Sequence, residues 1–181
     1  MSDVLTPAQR HLNMSHIHSA STKPELALRH ALWHLGLRYR VNDKRLPGKP
    51  DIVLPKFRTV IFLHGCFWHG HEGCSKYTIP KTNTDFWTAK VARNKERDQE
   101  TWRQLEAKGW NVIIVWECEL HKARFQETID RVTTELHHNR EVLLAEQQSR
   151  KEARTLYLKE REQQKEKEKA LTEELNQIFP H

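Results

Sequence analysis

Glycine and proline are scarce and unevenly placed in this 181-residue chain. All six glycines lie before residue 110, and beyond Pro80 the only proline is Pro180. The C-terminal third therefore lacks the residues that break helices. No apolar run approaches the roughly 20 residues that a membrane span needs. The opening stretch MSDVLTPAQRHLN has no apolar segment of the secretory kind. A cytoplasmic protein without membrane contact is expected. Cysteine is rare too: Cys66, Cys74 and Cys118 are an odd set, which argues against a pure disulfide framework and for thiols or metal ligands. Hydrophobic residues make up 37% and mean hydropathy is -0.81, polar for a compact globule, so part of the chain should lie outside the core.

Charge is present in abundance but unevenly. The chain carries +6 overall with a pI near 9.3. Residues 1–125 hold 20 basic and 12 acidic side chains, and residues 126–181 hold 10 and 12. A basic globular part suits a polyanion, nucleic acid first, although many basic proteins bind none. All six tryptophans and all three cysteines precede residue 119, so the core is expected to end near residue 125. The remainder reads as a solvated helix, with Ile129, Val132, Leu136, Leu143, Leu156, Leu171 and Leu175 too sparse for a heptad seam. Truncation after about residue 130 is therefore expected to leave activity intact.

Within the core, Pro24–Trp33 has helical spacing, with Leu28, Ala31 and Leu32 sharing a face with Leu35 and Gly36 closing the helix. Thr22-x-x-Glu25 is a capping box. Arg38–Val41 reads as a short strand, and Asp51–Leu54 and Thr59–Leu63 read as strands joined by PKF in a hairpin. Thr84 is expected to cap a long helix through Lys108, with Trp87, Val91, Trp102 and Leu105 facing inward. NVIIVW, residues 111–116, is an apolar strand. Helix, three strands, helix and strand imply an α/β domain with a mixed central sheet flanked by helices.

The segment HGCFWHGHEGC, residues 64–74, is the richest in chemistry. Cys66, His71, Cys74 and Cys118 offer four ligands, the number that fills tetrahedral Zn²⁺ without an open position. Unlinked buried cysteines beside solvated histidines are the plain alternative. His64 and His69 remain beside a strand end, where imidazoles suit acid–base work, phosphate contact or simple surface placement. Asp51 opens a strand after a Pro/Gly-rich turn, a position from which a carboxylate can hold a hard cation such as Mg²⁺. Glu25 could join it or serve only as a cap. Phe67 and Trp68 could form a wedge between base pairs or pack around the metal loop.

The runs LPGKPDIVLPKFRTVIFLHGCFWHGHEGC, FWTAKVARNKERD and GWNVIIVWEC resemble, in order and spacing, the very short patch repair endonucleases. NMSHIHSASTKPE resembles their N-terminal arm and first helix, so the likeness runs from about residue 10 to 120. These bacterial enzymes nick double-stranded DNA beside a T:G mismatch left by deamination of 5-methylcytosine. The resemblance implies a restriction-endonuclease-like core with a structural zinc. Asp51 becomes a Mg²⁺-binding carboxylate, His69 the general base, His64 an assisting histidine and Glu25 a glutamate near the metal cluster. The backbone carbonyl of Leu63, where relatives often carry threonine, becomes a Mg²⁺ ligand. Cys66, His71, Cys74 and Cys118 become the zinc ligands. Met14, Phe67 and Trp68 become intercalating residues, with Trp87, Lys90 and Asn94 at the mismatch.

The expected organisation is thus a DNA-clasping arm over 1–20, an endonuclease core with zinc over 21–125, and a charged helical extension over 126–181. The expected protein is a monomeric, nucleoid-associated bacterial enzyme, with mismatch-repair proteins as a further partner class. Two rivals stand beside this: a zinc-stabilised DNA-binding module without nuclease activity, and a nuclease of the same fold with another nucleic-acid substrate.

Overall fold

The computed structural model describes Thr6, Gln9, Leu12 and residues 22–178, with side chains for residues 22–169, 172 and 173. Met14 and nearly all of the expected arm lie outside the described residues. Helix α1 spans Lys23–His34, followed by β1 (Arg40–Val41), β2 (Ile52–Leu54) and β3 (Thr59–His64). Then come α2 (Thr84–Ala107), β4 (Asn111–Trp116) and α3 (Phe125–Ile178). The sheet order is β1-β2-β3-β4, with β1, β2 and β3 antiparallel in succession and β3 parallel to β4. The mixed sheet matches the sequence reading.

Alternation along the strands builds two cores, because successive side chains point to opposite faces. Ile52, Leu54, Ile61, Ile113 and Val115 join Leu28 and Leu32 of α1 with Ile129, Val132 and Leu136 of α3. On the other face Val53, Val60 and Phe62 meet Leu105 and half-buried Trp102 of α2. The hairpin turns through a 3-10 helix at Pro55–Phe57, and Arg58 takes a left-handed conformation with φ 50°. Arg58 then donates to the carbonyls of Lys108 (2.6 Å) and Gly109 (2.9 Å), satisfying groups that the C-terminus of α2 leaves without helical partners.

Three local expectations differ from the structure. Asn83, in a left-handed conformation, occupies the cap position of α2, and Thr84 is already helical, its hydroxyl donating to the Pro80 and Lys81 carbonyls. Leu35 is 56% exposed, because it is the C-cap residue of α1, where the chain has already left the helical path. The first compact unit runs to Asn139, past the expected core end near residue 125, since Ile129, Val132 and Leu136 fill the face beneath β3 and β4. Residues 140–181 form a second unit whose described apolar side chains include exposed Leu144, Leu156, Tyr157 and Leu158. No described helix is long and apolar enough to cross a membrane.

Candidate active site and metal centre

The parallel pairing of β3 and β4 places His64 opposite Trp116, so the segments leaving both strands start side by side. From β3 the chain turns at once: His69 N–H donates to the Gly65 carbonyl and His71 N–H to the Cys66 carbonyl, 3.2 and 2.9 Å. Cys118 stands in the 3-10 helix Glu117–Leu120 that follows β4. Cys66, His71, Cys74 and Cys118 thereby converge, with their ligand atoms all within 4.8 Å of one another. The His71 ring lies flat on Trp116, centroids 4.0 Å apart and planes 3° apart, and its Nδ1 is 3.3 Å from Cys118 Sγ. Burial pushes the Cys118 thiol up to about 12, with Cys66 and Cys74 adding to it, and burial also raises Cys66. Cys74 is lowered, chiefly by the backbone N–H of Lys76. Three crowded sulfurs, two of them held against ionisation, fit a divalent cation, which deprotonates its thiol ligands.

The second cluster interleaves with the first. His64 is 4% exposed and stacks on His69, ring centroids 3.8 Å apart. His69 Nδ1 lies 2.5 Å from Asp98 Oδ2. Burial works against charge on Asp98, but the His69 hydrogen bond and neighbouring positive charges outweigh it and lower the carboxyl. Burial, reinforced by His69, pushes His64 down to about 3, so its ring is neutral at physiological pH. An open cleft of about 340 Å³ adjoins these groups, lined also by Lys95, Gln99 and Trp102.

Asp51 leads into β2, and its Oδ2 accepts the Leu63 N–H at 2.8 Å. Burial raises the Asp51 carboxyl, and the negative charge of Glu25 adds to that effect. Glu25 is buried at the foot of α1, where it completes the capping box with Thr22 and also pairs with Arg29. Arg29 in turn reaches the Asp51 carbonyl at 3.4 Å. Glu25 is thus both a cap and the ion-pair partner of Arg29, which leaves Asp51, its carboxyl raised by burial and by Glu25, as the carboxylate whose charge a hard cation would relieve.

Phe67 and Trp68 are half-buried and form an aromatic cluster with Trp87, ring centroids 5.2 to 6.0 Å apart. Asn94 is buried and donates to the Trp68 carbonyl at 2.8 Å, while Lys90 is exposed. The sequence reading missed Asp98 as a functional side chain. Its signal was available: with Val91, Asn94 and Leu105 it occupies the buried face of α2, and a carboxylate there needs a partner.

Comparison with known proteins places this geometry in context. The family model for DNA mismatch endonuclease Vsr matches residues 2–76. The type II nicking enzyme V.NmeAIP of Neisseria meningitidis is 52% identical over 75% of this chain and 97% of its own length. V.XorIIP of Xanthomonas oryzae is 44% identical over 72% and 98% respectively. Escherichia coli Vsr is 43% identical over 75% of this chain and 86% of its own. Among solved structures, the catalytic domain of homing endonuclease I-Bth0305I has a TM-score of 0.45 at 17% identity, over 66% of this chain and 98% of that one. The family model's match takes in Asp51, His64 and His69, and on the identity and coverage of these relatives the chain is a DNA endonuclease belonging to the Vsr mismatch endonuclease family.

Proposed function

We propose that this chain nicks one strand of duplex DNA beside a T:G mismatch in a Mg²⁺-dependent reaction, on a restriction-endonuclease-like core held by structural Zn²⁺. The carrying observation is the convergence of Asp51, Leu63, His64, His69 and Asp98 at one end of the sheet. Asp51 and the Leu63 carbonyl would hold Mg²⁺, with Glu25 close behind. When bound, that ion supplies charge neutralisation at the scissile phosphate and a more acidic water. His69 donates its Nδ1 proton to Asp98, which leaves Nε2 to accept a proton from the attacking water. Neutral His64 backs the His69 ring and limits its tilt. Cys66, His71, Cys74 and Cys118 would hold Zn²⁺, keeping the loop between β3 and α2 in place.

Phe67 and Trp68 act as a wedge, and Met14, in the DNA-clasping arm over residues 1–20, as a further intercalating residue. Mismatches stack poorly and cost less to open, so wedge insertion itself discriminates. Trp87, Lys90 and Asn94 read the opened pair. A duplex substrate places the enzyme at the nucleoid in the cytoplasm. Leu63, where relatives often carry threonine, is the sequence feature that favours the rival module without nuclease activity; Asp51 engages it through its main chain, which any side chain leaves unchanged. Incubation of nicked-strand-labelled T:G duplex with Mg²⁺, beside T:A duplex and EDTA controls, tests the reading. Asp51→Asn should bind the T:G duplex but lose nicking; cleavage by this variant at the native rate would remove Asp51 from the mechanism.

A further inference from the structure

We propose that His64, His69 and Asp98 form a second metal site, selective for a borderline transition ion such as Zn²⁺, whose occupancy switches the nuclease off. The ligand atoms of these three side chains all lie within 4.8 Å of one another. Zinc bonds to nitrogen and oxygen are about 2.0–2.2 Å, which sets neighbouring ligand atoms about 3.3–3.6 Å apart around a tetrahedral ion. The present spacing, from 2.5 Å between His69 and Asp98 up to that limit, brackets the required separation; because the His64 and His69 rings stack with planes 15° apart, one ring must turn out of the stack for both in-plane lone pairs to meet the ion. The second observation is independent of this clustering. His64 is 4% exposed, and its buried Nδ1 has no hydrogen-bond partner among the described residues. An unpaired buried nitrogen is costly, and a metal ion would satisfy its lone pair.

Donor chemistry sets the selectivity. Two imidazoles and one carboxylate with an open position suit zinc, cobalt or nickel, whereas Mg²⁺ prefers oxygen ligands throughout. The set is distinct from Cys66, His71, Cys74 and Cys118, with which it shares no residue. The open cleft beside His64, His69 and Asp98 gives an ion a route in. An ion between Asp98 and His69 takes the Nδ1 lone pair, and the ring proton moves to Nε2. The nitrogen that should accept a proton from water is then already protonated. Binding through Nε2 would consume the same lone pair directly. The inhibitory consequence rests on the reading of His69 as general base; the binding does not.

The experiment adds Co²⁺ to full-length protein that already carries one zinc per chain. One further Co²⁺ should bind, with a d–d spectrum lacking thiolate charge transfer. Loss of a mere supporting partner already costs metal affinity about 10–100-fold, so Asp98→Asn and His64→Ala should each weaken binding by at least that much. Asp51→Asn should retain it. Asp98→Asn is near-isosteric and decides the matter alone if His64→Ala fails to fold. No bound Co²⁺, a thiolate band, retention in Asp98→Asn, or loss in Asp51→Asn would each overturn the site. Excess Zn²⁺ should abolish nicking in saturating Mg²⁺. A metal-filled site with undiminished nicking would overturn the switch and the general-base reading of His69, while leaving the site itself standing.

Discussion

Replacing Asp98 by asparagine tests the catalytic geometry at its most specific point. The substitution keeps shape and size at a position 8% exposed, so the fold should survive. It removes the one group that dictates which nitrogen of His69 carries the proton. The carboxylate, 2.5 Å from Nδ1, can only accept, so Nδ1 must be the donor and Nε2 the base. An amide can present either its oxygen or its NH₂ group, and the second choice favours the opposite tautomer with Nε2 protonated. General-base catalysis contributes about 10²–10⁴-fold, and the same change in a serine-protease triad costs about 10⁴-fold. A loss of about 10²–10⁴ in the single-turnover nicking rate is therefore expected, equivalent to roughly 3–5 kcal/mol of transition-state stabilisation. Affinity for T:G duplex, measured without Mg²⁺, should change little, because Asp98 faces His69 and not the aromatic wedge. Nicking within about twofold of wild type, in a variant with native circular dichroism, would refute the orienting role of Asp98; factors that small lie below general-base effects.

Other perturbations separate the remaining parts of the site. Cys118→Ser should lower bound zinc below one per chain and cost several kcal/mol in urea melts, since metal affinity in such sites is folding free energy, about 10–16 kcal/mol in zinc-finger peptides. Full zinc content in this variant would exclude Cys118 as a ligand. Trp68→Ala should reduce discrimination between T:G and T:A duplexes while zinc content and melting hold; loss of zinc instead would assign Trp68 to loop packing. Ending the chain after Asn139 should preserve stability, whereas ending it after Arg131 removes fully buried Val132 and Leu136, worth about 1.5–3 kcal/mol each. Equal urea midpoints for the two truncations would contradict the packing of α3 against the sheet.

The truncation pair marks a boundary that the sequence reading placed too early. Composition changes near residue 125, where tryptophan, cysteine and glycine have run out, and that change is real. It does not coincide with the edge of the core, because Ile129, Val132 and Leu136 supply only one apolar residue per turn and look sparse beside a polar tail. What made them core residues is the sheet above them, which no local pattern contains. Local signals worked where the physics is local. Thr22 and Glu25 are three residues apart and formed their capping box, and the PKF turn joined β2 to β3 as its flanking β-branched runs required. β3 was readable too, as a near-continuous apolar run, because both faces of that strand are covered by packed elements. Asp98 was missed although its place on the buried face of α2 was readable; what no local pattern holds is its partner, 29 residues away.

The two clusters are not independent, and the loop between β3 and α2 shows why. Reading along it, His64 and His69 belong to the proposed catalytic group, while Cys66, His71 and Cys74 belong to the Cys3His cluster. Ligands and catalytic side chains thus alternate within eleven residues, so any ion held by the first set fixes the backbone of the second. Gly70, at φ 63°, sits between His69 and His71 where the loop touches α2. A Cβ there would lie 2.8 Å from Val91 Cγ1 and 2.5 Å from the flexible end of Lys95. Only glycine combines that close approach with the left-handed turn. The same closeness lets His69 reach Asp98, which stands two turns beyond Val91 on the same face of α2. Zinc in the proposed Cys3His site would tie the loop to the segment after β4 through Cys118, and Gly70 seats it on α2. His69 is held between those two attachments, so losing either should reach the rate of nicking through the direction of one imidazole ring.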